Sequence, residues 1–120
     1  KFYEHPNIIY LNKNIDLLYK TKFINSCDAM LHGRYEGESF GLSIGEFSSK
    51  NKPIITCKSS IDNEHLHILK DKAIIYNDLN SLLNIFSFIK QLIDSKDIWN
   101  CYNDFSPENV MQMFNNLFKL

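Results

Sequence analysis

The four glycines of this 120-residue chain, Gly33, Gly37, Gly41 and Gly45, all fall in one short window, and no glycine occurs elsewhere. Glycine reaches left-handed backbone conformations at no steric cost, so the sharpest changes of chain direction are concentrated there. The same window holds the only arginine, Arg34, and the glutamates Glu36, Glu38 and Glu46. An apolar run, Ala29-Met30-Leu31, leads into it, and the strand-like Pro53-Ile54-Ile55-Thr56-Cys57 follows it. A strand that enters a glycine-bearing loop and then opens a helix is how α/β proteins offer a helix N-terminus to an anionic ligand.

Periodicity extends that reading along the chain. Short apolar runs predict strands over 7–11, 28–32, 53–57 and 72–76, and helical spacing predicts helices over about 15–25, 40–50 and 61–69. A further helix over 79–93 places Leu79, Leu82, Leu83, Phe86, Ile89 and Ile93 on one face, as expected of an element that covers a sheet. The last helix begins at Ser106-Pro107, an N-cap serine followed by proline at the first helical position, and carries the stripe Val110, Phe114, Leu117 and Phe118. This alternation predicts a Rossmann-like α/β fold, a parallel sheet with helices packed on its faces. Phe40, Ile44 and Phe47 recur at helical spacing and belong to its core.

Composition excludes several partners. With 44% hydrophobic residues the chain suffices for one globular core and not for two. A net charge of -1 and a lone arginine leave no basic stripe for nucleic acid. The longest apolar stretch, 82–93, is interrupted by Asn84, Ser87, Lys90 and Gln91 and is too short for a transmembrane segment. The cysteines Cys27, Cys57 and Cys101 are odd in number and widely spaced, which suggests packed, reduced thiols and a cytoplasmic protein, with peripheral membrane association left open. His65 and His67 have no third ligand at metal-site spacing, so no metal and no cofactor is expected.

The window is similar to the donor-binding half of retaining glycosyltransferases of the GT-B fold. Their signature of two glutamates separated by seven residues is matched by Glu38 and Glu46, enclosing Ser39-Phe40-Gly41-Leu42-Ser43-Ile44-Gly45. Asp28-Ala29-Met30-Leu31 resembles the strand before the first glutamate, Lys52-Pro53-Ile54-Ile55 the strand after the second, and Asn7-Ile8-Ile9-Tyr10-Leu11 an upstream strand of the same domain. The resemblance implies that residues 1–120 are the C-terminal part of the donor-binding domain. The acceptor domain and the first donor-domain strands, with their glycine-rich turn and basic pair, would then lie outside these residues. On that basis the chain alone is expected to be inactive, and either incompletely folded, dimerised through exposed edges or rearranged.

By resemblance, Glu38 is the catalytic residue and contacts the transferred sugar, while Glu46 holds the ribose hydroxyls. Carboxylates suit both tasks because they accept bonds from paired hydroxyls. Ser39 as N-cap would set Glu46 roughly 10 Å along the helix, with the amides of Phe40, Gly41 and Leu42 facing the diphosphate. Gly37 belongs to this donor-binding loop, Gly41 keeps a side chain away from the phosphates, and Gly45 lets helix and sheet approach. Arg34 either supplies charge to the diphosphate or is a surface residue; His32 either touches ligand or is structural. Glu36 reads as a solvated carboxylate, the usual state of glutamate. The implied activity is transfer of a sugar from a nucleoside diphosphate donor, with retention, to an unknown glycan, lipid or protein acceptor. A non-catalytic α/β interaction module on the same scaffold is the other reading, and neither base nor sugar is specified.

Overall fold

Three short, largely apolar strands pair in parallel. The computed structural model describes residues 3–58 and 61–119. In it β1 (Met30–Leu31), β3 (Ile54–Cys57) and β5 (Ile74–Tyr76) form a sheet in the order β1-β3-β5. The register sets Met30 opposite Ile54 and Ile55 opposite Ile74. Parallel strands need crossovers, and helices supply them. α2 (Leu42–Ser49) joins β1 to β3, and α3 (Glu64–Leu69) joins β3 to β5. The fold is therefore α/β with a small parallel sheet, compatible with a Rossmann-like arrangement. A second pair, absent from the periodicity, joins β2 (Gly37–Glu38) to β4 (Asp62–Asn63) and anchors the glycine window.

The core sits between α2 and the sheet. Ile44, Ile54, Leu69 and Tyr102 are its buried centre, with Met30, Phe40, Phe47 and Ile68 packed around them. Ile44 and Ser48 lie one helical turn apart on the inner face of α2 and are fully buried. The helix ends at Ser49 with Lys50 as its C-cap, and the left-handed backbone of Asn51 (φ 57°) then lets the chain turn into β3.

The segment after the sheet doubles back over α2. α4 (Leu79–Ser87) starts at Asp78, which forms a reciprocal capping box with Ser81. α5 (Ile89–Asp94) follows after an interruption at Phe88, so the expected single helix over 79–93 is two. The chain then straps across α2. Ser48 donates to the Trp99 carbonyl (2.8 Å) and accepts from the Cys101 amide (2.9 Å), while Asn51 Oδ1 accepts from the Trp99 amide at 2.7 Å. α6 (Pro107–Phe118) begins as expected, with Ser106 as N-cap. α1 (Leu17–Ser26) precedes the sheet, capped by Asp16.

Three expectations are corrected. Residues 7–11 form no strand: no described strand lies on that side to pair their backbone, and Ile9 stays 82% exposed. On α4 the residues that face inward are Leu82 and Ile85, with Ile85 fully buried, whereas Leu79, Leu83 and Phe86 remain exposed because three short strands cannot cover so wide a face. The α6 stripe of Val110, Phe114, Leu117 and Phe118 is also uncovered among the described residues.

Candidate functional site

Thr56 is a hydroxyl in an otherwise apolar strand, and burial obliges it to find partners. It finds two imidazoles. His32 directly follows β1, where its backbone amide bonds the Ile55 carbonyl (2.8 Å), and its Nδ1 lies 3.0 Å from Thr56 Oγ1. His65 enters from α3 with its Nε2 3.3 Å from the same oxygen. The two rings are 5.3 Å apart between centroids. His32 Nε2 in turn meets Glu38 Oε1 at 3.3 Å, and Arg34 reaches both carboxylate oxygens at 3.4 Å. The result is a polar cluster, His65, Thr56, His32, Glu38 and Arg34, at the C-terminal ends of β1 and β3. Open parallel sheets bind ligands at that end.

Burial disfavours the charged form of His65. Burial, and then the neighbouring His32, push His65 below the ordinary imidazole range, against a weaker opposite pull from Glu38 and Asp62. Among the described residues its Nδ1 is buried without a hydrogen-bond partner. Tyr76 closes the floor by donating to the His32 carbonyl at 3.3 Å, and Gly33 leaves room for that hydroxyl, since a Cβ there would sit 3.3 Å from it.

Gly41 opens α2 with φ 76°, a conformation that favours glycine, and a Cβ would in addition approach Ile44 Cδ1 to 3.1 Å. The N-cap is thus Gly41 and not Ser39, which is exposed and does not cap the helix. No side chain caps α2, so its first-turn amides are those of Leu42, Ser43 and Ile44, two residues later than expected. The Phe40 carbonyl is occupied: it accepts the Tyr102 hydroxyl at 2.6 Å. Gly37 is buried at φ 74° in β2, and Leu42 is exposed.

Glu46 is held apart from this cluster. It pairs with Lys20 of α1 at 2.8 Å and stands five residues into α2, about 6–7 Å along the axis, short of the distance that Ser39 as cap would give. A cleft of about 360 Å³ beside it is lined by Leu42, Gly45, Tyr102, Phe105 and Pro107, and Glu38 does not contribute to it. Gly45 serves that cleft's wall and not the sheet: a Cβ would lie 2.8 Å from Tyr102 Cδ1. Burial, followed by Cys101 and Glu38, pushes the Tyr102 phenol up to about 12.

Glu36 lies at the surface, 3.7 Å from Arg34. Cys27, Cys57 and Cys101 are free thiols, and burial pushes Cys101 up. Among the described residues no three of His, Cys, Asp and Glu gather as a metal-holding group, and no helix is long and apolar enough to cross a membrane. Sequence reasoning missed Thr56 and His65; the available signal was a lone hydroxyl inside an apolar strand whose parallel neighbour runs into a histidine. No protein-family model, curated protein or solved structure matches the chain.

Proposed function

We propose that this chain is the nucleotide-sugar-binding part of a retaining glycosyltransferase, which moves a sugar from a nucleoside diphosphate donor to a glycan, lipid or protein acceptor. The observation that carries the reading is Glu38, partly buried and fixed by His32 and Arg34 beside the left-handed Gly41 that launches α2. A carboxylate in that position accepts bonds from the hydroxyls of a sugar, and the uncapped first turn of α2 favours the negative charge of a diphosphate. Arg34 adds a cation next to the same space.

In this reading leaving-group departure and acceptor attack occur on one face of the sugar. Stabilising the departing diphosphate is the main electrostatic task, carried by the Leu42, Ser43 and Ile44 amides and by Arg34. Glu38 orients the transferred sugar, and Glu46 binds the ribose once it leaves Lys20.

Calorimetric titration of the full-length protein with uridine, guanosine, adenosine and cytidine diphosphates and their sugar conjugates tests this. One base is expected to give saturable binding that Glu46→Ala weakens, while Glu38→Ala abolishes turnover. Absence of saturable binding to every member of the panel would refute the reading and favour a non-catalytic interaction module.

A further inference from the structure

Donor and acceptor counting in the polar cluster leaves little freedom. The Glu38 carboxylate only accepts, so the His32 Nε2 that faces it at 3.3 Å carries a proton. A neutral His32 then presents a lone pair at Nδ1, 3.0 Å from Thr56 Oγ1, and the single hydroxyl hydrogen of Thr56 points to it in preference to the Cys57 carbonyl, its more distant alternative at 3.5 Å. Thr56 can therefore only accept from His65, whose Nε2 lies 3.3 Å away and must hold the proton of that ring. The lone pair of His65 is left on Nδ1, the buried atom without a partner among the described residues.

We propose that His65, Thr56 and His32 form a one-directional hydrogen-bond chain that ends on Glu38 Oε1 and makes His32 the positioning residue for that carboxylate. The chain holds one carboxylate oxygen from below and leaves Oε2, reached by Arg34 at 3.4 Å, for an incoming group. Thr56 and His65 act through His32, and none of the three needs to touch ligand. The charged groups that face the buried imidazole pair are Glu38 and Asp62, from β2 and β4. If His32 were doubly protonated, its Nδ1–H would donate to Thr56, the hydroxyl hydrogen would be released, and the direction would be lost.

The bond chain is a property of the free protein, while its use in orienting a sugar rests on the function proposed above. Two measurements keep these apart. The first is nitrogen-15 imidazole spectroscopy of the full chain at pH 8 without ligand, which should show both His32 and His65 as neutral Nε2–H tautomers. Thr56→Val should leave the His32 proton on Nε2, held by Glu38, shift the His32 Nδ1 resonance as its hydroxyl donor is lost, and release His65 to a mixture of tautomers. A proton on Nδ1 of His32 in the unaltered protein, or an unchanged His32 spectrum in Thr56→Val, would overturn the proposal whether or not nucleotides bind.

The second compares His32→Gln with His32→Leu, each first shown to unfold cooperatively, using the nucleotide sugar that gives saturable binding. Gln restores a donor to Glu38 and should keep affinity within about threefold, while Leu should lose about tenfold, the loss of one charge-assisted bond. Equal affinity of the two variants would reduce His32 to a packing residue and overturn the positioning role. If no nucleotide binds, the glycosyltransferase reading fails and the spectroscopic result alone decides the bond chain.

Discussion

Gly45→Ala is the sharpest test of how the C-terminal strap is seated. In the interior of a helix this change ordinarily stabilises by about 0.5–1 kcal/mol, because alanine loses less backbone freedom. Here the new methyl would stand 2.8 Å from Cδ1, 3.0 Å from Cε1 and 3.4 Å from Cγ of Tyr102. That ring cannot step aside freely. It is buried, its hydroxyl is bonded to the Phe40 carbonyl at 2.6 Å, and it meets Phe40 edge-on with 5.3 Å between centroids. Overpacking of this kind costs about 1–3 kcal/mol, and stretching the hydroxyl bond adds about 0.5–1.5 kcal/mol. After the propensity gain the net is a loss of roughly 1–3 kcal/mol, or about 4–12 °C in Tm for a domain of this size. Urea unfolding followed by Trp99 fluorescence and by circular dichroism measures it. The decisive control is the same substitution in a Tyr102→Leu background, where the obstacle is gone and alanine should stabilise by about 0.5–1 kcal/mol. Stabilisation in the unaltered protein, or the same loss in both backgrounds, would refute the packing argument.

Ser48→Ala removes both bonds that tie α2 to the strap and leaves the Trp99 carbonyl and Cys101 amide short of a partner. It should cost about 2 kcal/mol and shift the emission of Trp99 to the red; an unchanged spectrum would show that the strap is held elsewhere. The lowered pKa of His65 predicts an acid-side loss of stability. The unfolded chain binds this proton near 6.5 and the folded chain only at lower pH, so the stabilisation is intact above about 6.5 and falls away as pH drops toward the folded value. The slope approaches 1.4 kcal/mol per pH unit, and His65→Gln should flatten urea midpoints between neutral and mildly acidic pH. Phe114→Ala on the uncovered face of α6 should cost less than about 1 kcal/mol, against the 3–5 kcal/mol of a buried phenylalanine. A loss in the buried range would mean that this face is covered in solution.

The strands over 53–57 and 72–76 were legible from their paired isoleucines and the strand over 28–32 from its apolar run Ala29-Met30-Leu31, and each appears, shortened at its ends. Ser106 likewise announced its helix through local capping chemistry. The failures share a different cause, since each depended on a partner far along the chain. Ile8 and Ile9 read as strand, but periodicity is silent on whether a neighbouring strand exists to accept their hydrogen bonds. Gly45 read as a contact with the sheet, and nothing local revealed that Tyr102 would return to occupy that space. The faces of α4 and α6 were correctly amphipathic, yet amphipathicity specifies which side is apolar and not whether anything lies against it. Of the candidate site, the glycine window and Glu38 were visible in sequence, whereas the cap was assigned to Ser39 in place of Gly41 and the Thr56 and His65 support beneath Glu38 is tertiary.

The two glutamates, alike in the sequence, differ physically in how ready they are to bind. Glu38 is 22% exposed and contacted by His32 and Arg34, so its orientation is set before any ligand arrives. Glu46 is 42% exposed and contacts one flexible lysine, and an exposed pair of this kind contributes no more than about 1 kcal/mol. Exchanging Lys20 for a ligand hydroxyl is therefore nearly neutral in free energy. Moving Glu38 would leave a buried imidazole donor unpaired, which is costly. Preorganisation is most useful where charge and geometry change during a reaction, and an adaptable contact suffices where a group is only held. The proposed division of labour, with Glu38 orienting the reacting sugar and Glu46 only holding the ribose, thus agrees with the more constrained surroundings of Glu38 and the more exposed ones of Glu46.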